Sequence, residues 1–149
     1  LAALKNPAWI SFLWFGMTAG VSMLATPARF GAATITRPVA LDVGRVVFAV
    51  LNKAEFIALI ILLIIVRVSG LAREYIAICS VLALILLAQA IWLQPELAAR
   101  TDLIIAGIEP PPSIAHGAYS ILELTKLALL IYLGFRSLTL LIKDRPGIS

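Results

Sequence analysis

Four long apolar runs dominate the chain, each close to the roughly 20 residues a helix needs to cross a hydrocarbon layer about 30 Å thick. They cover residues 8–28, 46–66, 75–93 and 113–142. The first follows Pro7, is interrupted near its end by Pro27 and carries no charge. The second contains Lys53 and Glu55. The third is uncharged and is closed by Pro95. The fourth contains Glu123, Lys126 and Arg136. This pattern predicts an all-α integral membrane four-helix bundle with up-down topology, a single transmembrane domain over residues 1–149.

The connections differ in character. Residues 29–45 hold Arg29, Arg37, Pro38, Asp42 and Arg45, and read as a short interfacial segment. Residues 67–74 form a tight link, which folds the second and third spans into an antiparallel hairpin. In residues 94–112, Pro95 suits the first turn of a helix. There Leu97, Ile104, Ile105 and Ile108 alternate with Glu96, Arg100 and Asp102. That pattern predicts a short amphipathic surface helix before the last span, ended by Pro110, Pro111 and Pro112. Trp9, Trp14, Tyr75 and Trp92 lie toward span ends, where aromatic belts form. The first run has one basic residue ahead of it, Lys5, and no small-residue cleavage site before a soluble domain. It therefore reads as a span rather than a cleaved signal.

Composition agrees. Hydrophobic residues make up 62% and charged residues 13%, with mean hydropathy +1.04. A soluble domain carries about 25% charged residues, so this composition excludes a disordered chain and an ordinary soluble enzyme. The net charge of +4 is spread between apolar runs, which points to membrane-flanking charge and not to a nucleic-acid partner. Lys5, Arg67, Arg73, Arg136, Lys143 and Arg145 fall on the side of the termini, against Arg29, Arg37, Arg45 and Arg100 on the other. This bias predicts cytoplasmic termini. The single cysteine, Cys79, lies within an apolar run and reads as a buried structural thiol.

The informative residues are the charges inside the spans. A charge near the bilayer centre costs at least about 2.5–3.5 kcal/mol, so Lys53, Glu55, Glu123 and Lys126 must pair, reach water or titrate. With helix entry near Val46 and Ser113, Lys53 lies about 10 Å deep, Glu55 about 13 Å, Glu123 about 15 Å and Lys126 about 20 Å. Glu123 can be neutralised by Lys53 or by its i+3 neighbour Lys126. Two acids and two bases sum to zero, which favours paired ions. Lys53 and Glu55 point about 200° apart, so only one of them can face the fourth span. His116, Tyr119, Ser120 and Glu123 recur at helical spacing and Lys126 continues the stripe; Asn52 and Glu55 share a face of the second span. Gly16 and Gly20, four apart in the first span, offer a flat packing surface for another helix, within the bundle or at a subunit contact.

Candidate chemistry is sparse. No HExxH, GxSxG, P-loop or CxxC is present, and no catalytic residue or metal ligand set is predicted. One histidine excludes bis-histidine haem within the chain. Copper on His116 with Met17, Met23 or Cys79 has no supporting spacing. His116, Ser120 and Glu123 stacked on one helix make a poor catalytic triad. No cofactor is predicted, though lipid, pigment or quinone can lie against the apolar first and third spans with few polar ligands.

Two stretches resemble a known family. One is Phe15-Gly16, then Thr26-Pro27-Ala28-Arg29-Phe30, then Asp42-Val43-Gly44-Arg45-Val46-Val47-Phe48; the other is His116-Gly117-Ala118-Tyr119-Ser120. In these the chain is similar to the transmembrane protein 205-like domain. Glu123 and Lys126 depart from the neutral polar residue, such as Asn, expected after that serine. The resemblance implies a four-helix membrane protein of unsettled role, with a eukaryotic member associated with drug resistance and export. Two functions are expected from the chain as a whole. One is a non-catalytic accessory subunit contacting the bilayer and other membrane subunits. The other is a small transporter or proton- or ion-conducting protein using the intramembrane lysines and glutamates.

Overall fold

A computed structural model describes residues 3–143. Four long helices account for most of them: α1 (Ala8–Phe30), α2 (Arg37–Val68), α3 (Arg73–Ile105) and α4 (Ala115–Lys143). No strand occurs among the described residues. All four helices are long and apolar enough to cross a membrane. Successive helices are antiparallel: Lys5, just before α1, meets Ser69 at the end of α2; Arg45 near the start of α2 meets Asp102 near the end of α3; and Glu74 at the start of α3 meets Arg136 near the end of α4. Arg145 lies outside the described residues, as does the Lys143 side chain.

Two helices extend beyond the apolar runs. α2 begins at Arg37, not at Val46, because Thr36 is extended (φ −76°, ψ 156°) and Pro38 sits in the first turn, where its missing N–H is harmless. Arg45, eight residues further on, is held by Asp42 at 2.7 Å and by Asp102 of α3 at 2.5 Å. Residues 37–45 are thus helix rather than interfacial linker. α3 likewise does not stop at Pro95, and the separate surface helix predicted within residues 94–112 is instead its last three turns, Gln94–Ile105.

The two internal prolines are accommodated in one way. A proline cannot donate to the carbonyl four residues back and its ring clashes with it. In α1 a π-helical turn over Gly20–Ala25 precedes Pro27, and the Thr26 N–H reaches back five residues to the Val21 carbonyl. The Thr26 hydroxyl donates to the same oxygen at 3.0 Å. In α3 a π-helical turn over Gln89–Leu93 precedes Pro95, and the Gln94 N–H reaches the Gln89 carbonyl. The wide turn lets each helix pass through its proline.

Sharp ends occur where glycine adopts positive φ. Gly70 (φ 60°) ends α2, with the Leu71 N–H donating to the Val66 carbonyl at 3.2 Å and the Gly70 N–H to Arg67 at 3.3 Å. Gly107 (φ 77°) ends α3 with the same pair of bonds, Ile108 to Leu103 and Gly107 to Ile104. Beyond Gly107 the Pro110–Pro112 stretch leads to Ser113, whose hydroxyl accepts the Ala115 N–H and caps α4.

The interior has two apolar parts. The larger gathers Ile10 and Trp14 of α1, Leu59, Leu62 and Val66 of α2, Tyr75, Cys79, Leu82 and Leu86 of α3, and Leu130 and Leu133 of α4. The smaller joins Leu93 of α3 to Ala115 and Tyr119 of α4, with Phe48 edge-on to Tyr119 at 5.5 Å. A layer of polar side chains lies between them along all four helices. Outward, the bundle is apolar: Leu24, Val50, Ile60, Leu84, Ile91 and Ile121 are all more than half exposed. That arrangement suits a lipid environment, where every backbone group is bonded within a helix and the outer face needs no water.

Candidate functional site

The layer between the two apolar parts is a closed ion network centred on Lys126 of α4, whose side chain has no exposed surface. Its ammonium lies 2.6 Å from Glu55 Oε1 of α2 and 2.9 Å from Glu123 Oε2 of α4, and donates to Gln89 Oε1 of α3 at 3.0 Å. Three helices therefore converge on one ammonium, using all three of its donors.

The partners are themselves held. Glu55 Oε1 accepts from Trp14 Nε1 at 3.0 Å and Thr18 Oγ1 at 2.7 Å, both on α1. Glu123 Oε2 accepts from Gln89 Nε2 at 2.8 Å, and its Oε1 from Ser22 Oγ of α1 at 2.6 Å. Gln89 spends its amide in both directions, donating to the acid and accepting from the base, which fixes its orientation. α1 thus contributes a donor stripe, Trp14, Thr18 and Ser22, spaced four residues apart on one face. Lys126 and Glu123 are satisfied by charge-assisted hydrogen bonds at every polar atom, and Glu55 through Oε1 alone; such bonds are the condition under which burial of ions is tolerated.

Two buried polar atoms on α2 lack partners: Glu55 Oε2 and Asn52 Nδ2. Asn52 and Glu55 are three residues apart and share the inward face, as their spacing predicts. The fully ionised network holds two carboxylates and one ammonium, and so carries one excess negative charge. The balance expected from two acids and two bases is therefore corrected. Lys53 points away from Glu55 and is exposed on the outer face of α2.

The other sequence candidates divide. Tyr119, Glu123 and Lys126 are buried along one line of α4. His116 and Ser120 are exposed, and the Ser120 hydroxyl folds back onto the His116 carbonyl at 2.9 Å. Ser120 lies about 60° round the helix from Glu123, enough to carry it off the buried stripe. No catalytic grouping of His116, Ser120 and Glu123 forms. Gly16 and Gly20 do not mediate packing in the bundle, since a Cβ on either would meet nothing within 4 Å. The close helix approach falls instead at Gly134 of α4, where a Cβ would lie 2.7 Å from the Phe12 ring of α1. Among the described residues no three His, Cys, Asp or Glu groups cluster as a metal site would require. Cys79 is buried and unpaired, as expected.

Four network members were not anticipated: Trp14, Thr18, Ser22 and Gln89. All are neutral and lie on spans that carry no charge. The signal for them was the Trp14, Thr18, Ser22 spacing and the isolation of Gln89 in an apolar run.

No protein family, curated protein or solved structure matches the chain. The likeness to the transmembrane protein 205-like domain rests on the residues quoted for it.

Proposed function

We propose that the chain is a non-catalytic, multi-pass membrane protein acting as a structural or accessory subunit of a larger membrane assembly, with its termini in the cytoplasm. The observation that carries this reading is the closure of the network: Glu55, Gln89 and Lys126 have no exposed surface. A substrate has no approach to them, whereas an ammonium shared by α2, α3 and α4, with α1 donating to both acids, fixes the register of the four helices. Buried ionic groups are best attested in that registry role. The outer surface, apolar over all four helices, suits contact with lipid and with neighbouring subunits. The test is purification from the native membrane in mild detergent. Stoichiometric recovery with a larger complex supports the reading. A lone, homogeneous bundle overturns it.

A second reading, conduction of protons or ions, is favoured by one observation. The network has two acids for one base, and one acid oxygen, Glu55 Oε2, lacks a donor. Intramembrane carboxylates of this kind occur in relays. Glu55→Gln and Glu123→Gln should then abolish flux in proteoliposomes while leaving the protein correctly assembled. Unchanged flux, or no flux in the parent protein, removes this reading.

A further inference from the structure

Lys53 is a charge on the outside of a membrane helix, and the network does not account for it. It interrupts an outward stripe of α2 that is otherwise β-branched: Val43, Val46, Val50, Ile57, Ile60 and Ile64, each at least 44% exposed. The stripe steps by alternating threes and fours, the spacing by which one helix presents a seam to another. Lys53 sits at a seam position. A single polar residue there sets which partner is accepted and in what register, at a cost in stability. The ends of α2 do not relieve it. Arg45 and Asp42, which mark its polar end, are eight or more residues away, about 12 Å along the axis, farther than a lysine stem reaches. Among the described residues no carboxylate pairs with Lys53; the acids near the polar end are engaged by Arg45 and Arg37.

Beside this stripe, α1 and α2 leave an apolar groove of about 310 Å³ lined by Met17, Val21, Val46, Val50 and Ala54, among others. Lys53 follows Val50 by about one turn along the same outward stripe of α2. On the other side, α1 carries Gly16 and Gly20, next in sequence to Met17 and Val21 and unused by the bundle. Small residues let a neighbouring backbone approach closely, which gives them a purpose here that the bundle interior does not.

We propose, resting on the accessory-subunit reading above, that this groove receives one transmembrane helix of another protein, bearing an Asp or Glu at the depth of Lys53. Charge decides the occupant. Lipid tails leave the ammonium unpaired in a medium where that is costly. A second copy around a two-fold axis along the membrane normal brings Lys53 against Lys53, a like-charge contact in low dielectric. A carboxylate on the incoming helix neutralises Lys53, while valines and glycines supply the packing.

The test uses the full chain in phosphatidylcholine vesicles with synthetic leucine–alanine single-span peptides of about 20 residues, carrying Glu, Gln or Lys at the centre. Association is read by energy transfer between fluorophores on the two. The Glu peptide should bind about tenfold more tightly than the Gln peptide. Lys53→Gln should abolish that preference, and Lys53→Glu should transfer it to the Lys peptide. Val50→Trp, which fills the groove while keeping the charge, should weaken all binding. Equal binding of the three peptides overturns the proposal, as does a Glu preference that survives Lys53→Gln. Self-association of the chain blocked by Val50→Trp overturns it in favour of a second copy. A native complex that persists unchanged in Lys53→Gln sinks this docking site alone; the absence of any native complex sinks the accessory reading itself.

Discussion

Two lysines lie at nearly the same level of this bundle and live in opposite circumstances. Lys126 is fully enclosed and meets two carboxylates and an amide within 3.0 Å. Lys53, two residues from the Glu55 that Lys126 grips, looks outward from a stripe of valines and isoleucines. Both are unfavourable in a membrane by composition alone. The difference is where the compensation lies: inside the chain for Lys126 and, in the proposal made above, outside it for Lys53. A charge balanced within the fold belongs to stability. In that proposal, a charge left unbalanced on the outer face belongs to recognition.

The sharpest way to break the comparison is to remove each lysine. Lys126→Met leaves two carboxylates buried without a counter-charge, and should destabilise the bundle by about 3–5 kcal/mol, the cost of breaking a buried pair. Thermal unfolding in detergent reads it. Lys53→Gln should leave that transition in place, because the side chain is exposed and no hydrogen bond or ion pair among the described residues holds it. Equal losses from both would place Lys53 in the core after all.

Charge counting sharpens it next. Glu55→Gln or Glu123→Gln leaves one acid opposite Lys126, so each alone should cost no more than about 1–2 kcal/mol. The double variant strands the ammonium and should cost roughly as much as Lys126→Met. Additive single and double effects, measured in the same unfolding assay, would show that the three ions do not act as one unit.

A contrast between two glycines includes the smallest expected effect. Gly134→Ala drives a methyl into the Phe12 ring and should cost about 1–3 kcal/mol. Gly16→Ala meets open space and should be neutral or stabilising by up to about 1 kcal/mol. If Gly16→Ala is the more harmful in detergent-solubilised monomer, α1 packs differently from this arrangement.

The spans themselves were legible because burial in lipid leaves a coarse imprint, about 20 apolar residues at a time. Glu55, Glu123 and Lys126 were legible for the complementary reason: a charge inside such a run is rare enough to demand an explanation. Helix ends were less so. Pro27 and Pro95 carry the usual sign of termination, and nothing local distinguishes a proline that stops a helix from one that follows a wide turn. The neutral members of the network escaped because Trp14, Thr18, Ser22 and Gln89 are cheap enough in a membrane to pass as background. Which of Lys53 and Glu55 faces inward is not a local property. The 200° between them excludes both, and only the assembled bundle, in which Lys126 of α4 reaches Glu55 across the interior, selects one. Gly16 and Gly20 misled in the same way, since a flat surface records that something can approach and not what does.

The order in which the ribosome delivers the network has its own consequence. Glu55 enters the membrane with α2, whereas Lys126 is synthesised roughly 70 residues later, about 4–14 s at ordinary elongation rates. In that interval the nascent three-helix intermediate carries an acid with Trp14 and Thr18 as donors but no cation. Glu123 and Lys126, one turn apart on the last helix, arrive already neutralising each other. The final insertion step is therefore also the step that brings Glu55 a cation, while the excess negative charge of the network remains. Biogenesis arrested before α4 should yield a fragment that the membrane's quality-control proteases can tell from the finished protein by that exposed need.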